Sequence, residues 1–85
     1  MSNVTIYSSS RCPFCVKAKM LLDKKNIQYE EIDVTDDEEA RKKLVEKANG
    51  MRTVPQIFIG ETHVGGCDDL YELENKGKLD PMLAA

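Results

Sequence analysis

Residues 4–7, Val-Thr-Ile-Tyr, alternate with the two-residue period of a half-buried strand. The period then changes, and residues 16–25 read as an amphipathic helix that Asn26 suits as an end. A second strand is predicted over residues 29–34, carrying Ile32 and Val34. Thr35-Asp36-Asp37-Glu38 has the form of a capping box, with Thr35 as cap and Glu38 three residues on. Its acidic first turn, and Lys42, Lys43 and Lys47 further along, complement the dipole of a second helix that Asn49-Gly50 stops. Residues 54–59 form the most strand-like run. Gly60-Glu61 then separates it from Thr62-His63-Val64, as in a two-residue hairpin with glycine first. Gly65-Gly66 breaks that strand, and Asp68-Asp69 open a third helix with Leu70, Leu73 and Tyr71 on its apolar side. Gly77 ends it, and Asp80-Pro81 begins a short C-terminal helical turn.

The predicted order is β-α-β-α-β-β-α. A helix between the first two strands implies a parallel, right-handed crossover, whereas the hairpin adds an antiparallel pair. The expectation is an α/β domain spanning residues 1–85, a four-stranded mixed sheet flanked by helices. The chain has 85 residues, 41% apolar and 32% charged, enough for one small core with a well-solvated exterior. A net charge of −3 gives nucleic-acid binding no support, although Arg11, Lys17 and Lys19 make a local basic region. No stretch reads as a signal peptide or as a bilayer span, so no membrane partner is expected. Three cysteines, an odd number, do not suit a disulfide-stapled secreted scaffold, and a cytoplasmic location is expected.

Cys12-Pro13-Phe14-Cys15 falls at the first strand-to-helix junction. Pro13 suits the first helical position, where its missing N–H is no loss, which makes Cys12 the N-cap. Its sulfur then faces the N–H groups of Phe14 and Cys15, and those donors with the helix dipole favour a thiolate over a thiol. Cys15, a turn further on, lacks the same set of donors and is within disulfide reach. The pair reads as a redox dithiol, with Cys12 the nucleophile and Cys15 the resolving thiol. A CxxC at this junction of this element order points to the thioredoxin fold. Zinc is the competing reading, since Cys12, Cys15, His63 and Cys67 have tolerable ligand spacing. Pro13 and the strand-then-helix setting suit a cap better than a zinc knuckle, so no metal centre is expected.

Two further motifs add recognition chemistry. In Arg52-Thr53-Val54-Pro55 the proline either starts a strand in the trans form or, in the cis form, exposes the Val54 backbone to a peptide-like ligand. In Gly65-Gly66-Cys67-Asp68-Asp69 glycines lead into a helix N-terminus whose free N–H groups suit a carboxylate. Asp68 either caps that helix or accepts from an amino group. Cys67 reads as a small residue at a helix start. Thiolate, backbone edge, carboxylate site and amino-group acceptor together suit an amino-acid-like thiol.

On Cys12-Pro13-Phe14-Cys15, on residues 53–60 (TVPQIFIG) and on residues 65–70 (GGCDDL), the chain resembles the dithiol glutaredoxins, in particular short bacterial members of the glutaredoxin 3 type. The resemblance implies a glutathione-dependent thiol–disulfide oxidoreductase, with glutathione as co-substrate. Its sulfur would join Cys12, beside Pro13 and Phe14, and its cysteine backbone would pair with Val54 beside a cis Pro55 and Thr53. Its γ-glutamyl carboxylate would meet Gly66 and Cys67, with Asp68 taking the amino group. Phe14 replaces the family's usual tyrosine, and Ser9 stands where a lysine is common. Arg11, Arg52 and Lys42 are therefore the candidates for the glycine carboxylate. The implied partners are disulfide-bonded or glutathionylated proteins, ribonucleotide reductase among them, acted on by a monomer. Alternatives within the resemblance are a [2Fe–2S] cluster held between two subunits and a thioredoxin-like electron donor served by a flavin reductase.

Overall fold

The structure, a computed structural model, describes residues 3–84. Strand β1 (Val4–Ser8) leads into helix α1 (Pro13–Lys24) and then β2 (Glu30–Asp33) and α2 (Glu38–Lys47). The hairpin of β3 (Gln56–Ile59) and β4 (Thr62–Gly65) follows, and then α3 (Cys67–Asn75) and the short α4 (Leu79–Ala84). The strands lie in the order β2-β1-β3-β4; β1 is parallel to β2 and antiparallel to β3, which is antiparallel to β4. This is the thioredoxin-like four-stranded mixed sheet the pattern predicts.

Strand alternation divides the core in two. Val4 and Ile6 of β1 and Ile57 and Ile59 of β3 pack with Ala18, Leu21 and Leu22 of α1 and with Leu70, Leu79 and Leu83. Tyr7 and Phe58 point the other way, onto Leu44 and Ala48 around α2. Burying a leucine such as Leu22, Leu44 or Leu70 completely stabilises the fold by roughly 1.5–3 kcal/mol. The helix stops are where the sequence puts them. Asn26 and Asn49 adopt φ of 58° and 57°, and Ile27 N–H returns to Leu22 O at 3.0 Å to close the end of α1.

Both β3 and α2 start later than the pattern places them. Pro55 has no N–H to give the ladder, so β3 starts at Gln56 instead of Val54. The cap of α2 is Asp37, not Thr35: the Asp37 carboxylate accepts from Ala40 N–H at 3.0 Å. Thr35 is drawn away by Asp33, which accepts both its hydroxyl and its N–H. The Thr35 Oγ1 in turn accepts from Ser10 N–H at 2.8 Å, which ties the loop ahead of Cys12 to the end of β2.

Behind that loop, Ser8 Oγ donates to Glu31 at 2.6 Å and Lys19 pairs with the same carboxylate at 2.8 Å. Lys19 first, then Ser8, hold the Glu31 carboxyl below its ordinary value of 4.5. A carboxylate with a depressed value in the folded state stabilises the fold above the unfolded value and loses that contribution as pH falls through the folded one. In thermal melts Glu31→Gln is accordingly expected to flatten the decline of Tm below about pH 4.5, and to do so modestly, because the pair is partly exposed. An unchanged slope would show that the pair contributes nothing.

Candidate active site

The end of β1 and the start of α1 fix the first cysteine. Cys12 has an extended backbone, φ −110° and ψ 103°, and Pro13 follows as the first helical residue. The Cys12 Sγ accepts from Cys15 N–H at 3.1 Å and donates to Val54 O at 3.4 Å. Only one of the two donors expected from the sequence meets the sulfur: the Cys15 amide does, and Phe14 instead carries its ring outward, 58% exposed.

Cys12 is half-buried, whereas Cys15 is wholly buried. Burial first, and then the adjoining Cys12 sulfur, push the Cys15 thiol up to about 12. Burial likewise raises Cys67 above its ordinary value. The dithiol is thus asymmetric, with one accessible sulfur that takes an amide hydrogen bond and a second sulfur kept protonated behind it.

Opposite the dithiol, the Val54–Pro55 peptide bond is cis, so the open choice at this proline falls to the form that presents Val54. Phe14, Thr53, Val54, Pro55, Gly66, Cys67 and Asp68 line one groove of about 190 Å³. At its far side α3 begins with Gly66 as N-cap. The Gly66 N–H donates to Asp69 Oδ2 at 3.0 Å. Of the two carboxylates that open the helix, Asp69 closes its start, and the Gly66 N–H thereby has an acceptor within the fold. The N–H groups of Cys67 and Asp68, in the first turn, have no acceptor within the helix. Asp68 is exposed and enters no ion pair among the described residues.

The basic candidates lie outside this lining. Arg52, with Arg41 and Lys42, borders a separate recess of about 420 Å³, where Arg41 Nη1 donates to Arg52 O at 3.2 Å. Arg11 is exposed in the turn before Cys12. Three groove residues escaped the sequence reading: Met51, Gln56 and Asp69. The signal for Gln56 is a lone polar residue in the apolar run 54–59; that for Asp69 is a carboxylate at the third helical position. A separate concavity of about 780 Å³ lies between the start of β1 and the loop ahead of β2, lined by Asn3, Asn26, Tyr29 and Glu30 among others, and contains none of these groups.

The four residues weighed as zinc ligands are not gathered. His63 is bonded to Gln56 and stacked on Phe58, and no group of three or more Cys, His, Asp or Glu that could hold a metal occurs among the described residues. Nor is any of their helices long and apolar enough to cross a membrane.

The family model described as glutaredoxin matches residues 4–64, which spans β1 through most of β4 and includes both the dithiol and the cis-proline. The chain belongs to the glutaredoxin family. It is 53% identical to a glutaredoxin of Pseudomonas aeruginosa over the full length of both chains, and 46% identical to glutaredoxin 3 of Escherichia coli over 98% of this chain and 99% of that one. Among solved structures it is similar to a buckwheat glutaredoxin in complex with glutathione, with a TM-score of 0.86 and 36% identity over 98% of this chain and 77% of that one. As a glutaredoxin the chain has a thiol–disulfide oxidoreductase role.

Proposed function

We propose that this glutaredoxin reduces glutathione mixed disulfides and protein disulfides with glutathione as its reductant, through Cys12. The observation that carries the reading is the groove: the cis-proline backbone and the start of α3 line it, and the Cys12 sulfur adjoins it through its hydrogen bond to Val54 O. The glutathione complex of the buckwheat relative supports the same choice of ligand.

In the proposed reaction the Cys12 thiolate attacks the glutathione sulfur of a mixed disulfide. The client's sulfur leaves as a thiolate and takes a proton, and Cys12–glutathione remains. The cysteine backbone of glutathione pairs with Val54, its γ-glutamyl carboxylate meets the N–H groups of Cys67 and Asp68, and the Asp68 carboxylate accepts from its amino group. The thiolate of a second glutathione then attacks the bound glutathione sulfur, which releases glutathione disulfide and the Cys12 thiolate. With a protein disulfide, the first step joins Cys12 to one client sulfur and releases the other as a thiolate. Cys15 then loses its proton and attacks the Cys12 sulfur, and the client's second thiolate leaves. The Cys12–Cys15 disulfide so formed is reduced by two glutathiones in turn, which depart as glutathione disulfide. The glycine carboxylate has Arg52, Arg11 and Lys42 as its candidate partners. Disulfide-bonded and glutathionylated proteins, ribonucleotide reductase among them, are the proposed clients.

Turnover of a glutathionylated peptide with glutathione as the sole reductant tests the reading. Saturable turnover is expected; dependence on a flavin reductase would overturn it. An anaerobic preparation with glutathione that shows the visible bands of an iron–sulfur cluster and no turnover would favour a cluster carrier instead.

The high position of Cys15 adds a pH prediction. Its main cause, burial, persists when Cys12 is tied up in a mixed disulfide. Well below its pKa the thiolate fraction rises tenfold per pH unit, so the resolving step is expected to accelerate by nearly that factor per unit between about pH 6 and 8. Rapid-quench measurement of a Cys12–client disulfide checks this. A flat profile would mean that Cys15 is already ionised.

A further inference from the structure

The polar groups behind the groove form a chain that the reaction above does not use. Gln56, on the α2 side of β3, is 1% exposed, and both ends of its amide are occupied. Its Oε1 lies 2.6 Å from His63 Nε2, and its Nε2 donates to Thr53 Oγ1 at 3.2 Å. A carbonyl oxygen only accepts, so the His63 nitrogen is the donor, and the Phe58 ring stacked at 4.8 Å fixes the imidazole plane. The polarity of the chain follows: His63 gives a proton to Gln56, and Gln56 gives one to Thr53. No buried polar side-chain atom among the described residues is left without a partner.

A hydroxyl has one proton and two lone pairs. With a lone pair of Thr53 Oγ1 taken by Gln56, the hydroxyl proton has to point elsewhere. Thr53 is exposed and lines the groove next to Val54, whose carbonyl accepts from Cys12. We propose that His63 and Gln56 are positioning residues that set the direction of the Thr53 hydroxyl, so that Thr53 presents a donor to an acceptor oxygen of the ligand in the groove. Without the relay the hydroxyl is free to turn, and part of its population offers a lone pair to that oxygen. The inference rests on glutathione as the ligand, whose carboxylate and peptide oxygens are the acceptors.

The test is a double-mutant cycle on the KM for a glutathionylated peptide, whose glutathione enters the groove, with kcat and Tm recorded alongside. Gln56→Met keeps the length and volume of the buried side chain but removes the donor, and Thr53→Val removes the hydroxyl. Each is expected to raise KM about three- to tenfold with kcat little changed, as loss of one hydrogen bond of ordinary strength would. The double mutant is expected to be no worse than Thr53→Val alone, because Gln56 acts only through that hydroxyl. Thr53→Ser keeps the hydroxyl and is expected to stay near the wild-type KM. If the two effects multiply instead, or if Gln56→Met lowers Tm but leaves KM unchanged, the relay is structural and the proposal is wrong. Should Gln56→Met not fold, His63→Leu with Thr53→Val forms the same cycle with the same two outcomes. A wild type that does not saturate with the glutathionylated peptide would remove the ligand assignment before the cycle is measured.

Discussion

Cys12→Ser is expected to reduce turnover of both glutathione mixed disulfides and protein disulfides to the uncatalysed background. A serine hydroxyl fits the N-cap and keeps the Cys15 N–H partnered, so Tm should hardly change. The loss is therefore chemical: the thiolate is the attacking species, and neither other thiol can take its place, since Cys15 and Cys67 are both buried and raised. Cys15→Ser is expected to behave differently. It should retain turnover of the glutathione mixed disulfide, where the second glutathione takes over, and stall on protein disulfides with the client trapped on Cys12. Mass spectrometry of the trapped species beside the two turnover assays separates these outcomes. Full activity in Cys12→Ser would refute the assignment of the nucleophile, and loss of both activities in Cys15→Ser would refute the division of labour.

The largest stability effect away from the cysteines is expected at Gly65. Its φ is +117°, and an added Cβ would lie 2.3 Å from Asp69 Oδ2 and 2.9 Å from Asp69 Cγ. The Asp69 side chain can swing aside, but it then releases the Gly66 N–H and uncaps α3 beside the groove. Backbone strain at such a φ costs about 1–3 kcal/mol, and a lost cap about 1 kcal/mol. For a chain of this size, Gly65→Ala should lower Tm by roughly 10–25 °C. Gly60→Ala is the control: at φ +61° an added Cβ meets nothing within 4 Å, and only the local conformational cost of about 1–2 kcal/mol remains. Equal losses at the two positions would show that the Asp69 contact is unimportant.

Most of the architecture could be read from local pattern because the determinants are local. The positive-φ asparagines, the Gly60-Glu61 turn and the proline after Cys12 each specify their own neighbourhood. Where local signals compete, the reading fails. Residues 33–38 contain several cap-capable side chains in close succession, and Thr35, held by Asp33 and by the distant Ser10 amide, leaves the cap to Asp37. The same distinction holds in the active site. The motifs identify the dithiol, the proline and the start of α3. Cys15 is silenced by burial under the fold, and Gln56 is paired across the hairpin to His63; both depend on contacts between residues that the sequence alone does not bring together.

One of the two outer strands of the sheet, β2, has the sequence Glu-Glu-Ile-Asp. An uncovered sheet edge is a template on which another chain can add a strand, and charged side chains are a common means of preventing that. With Glu31 paired to Lys19, Glu30 and Asp33 leave this edge net negative, so two copies of it repel each other. Under the proposed chemistry, in which Cys12 joins transiently to other chains, such an edge disfavours strand addition at the far rim and leaves the groove as the place of contact.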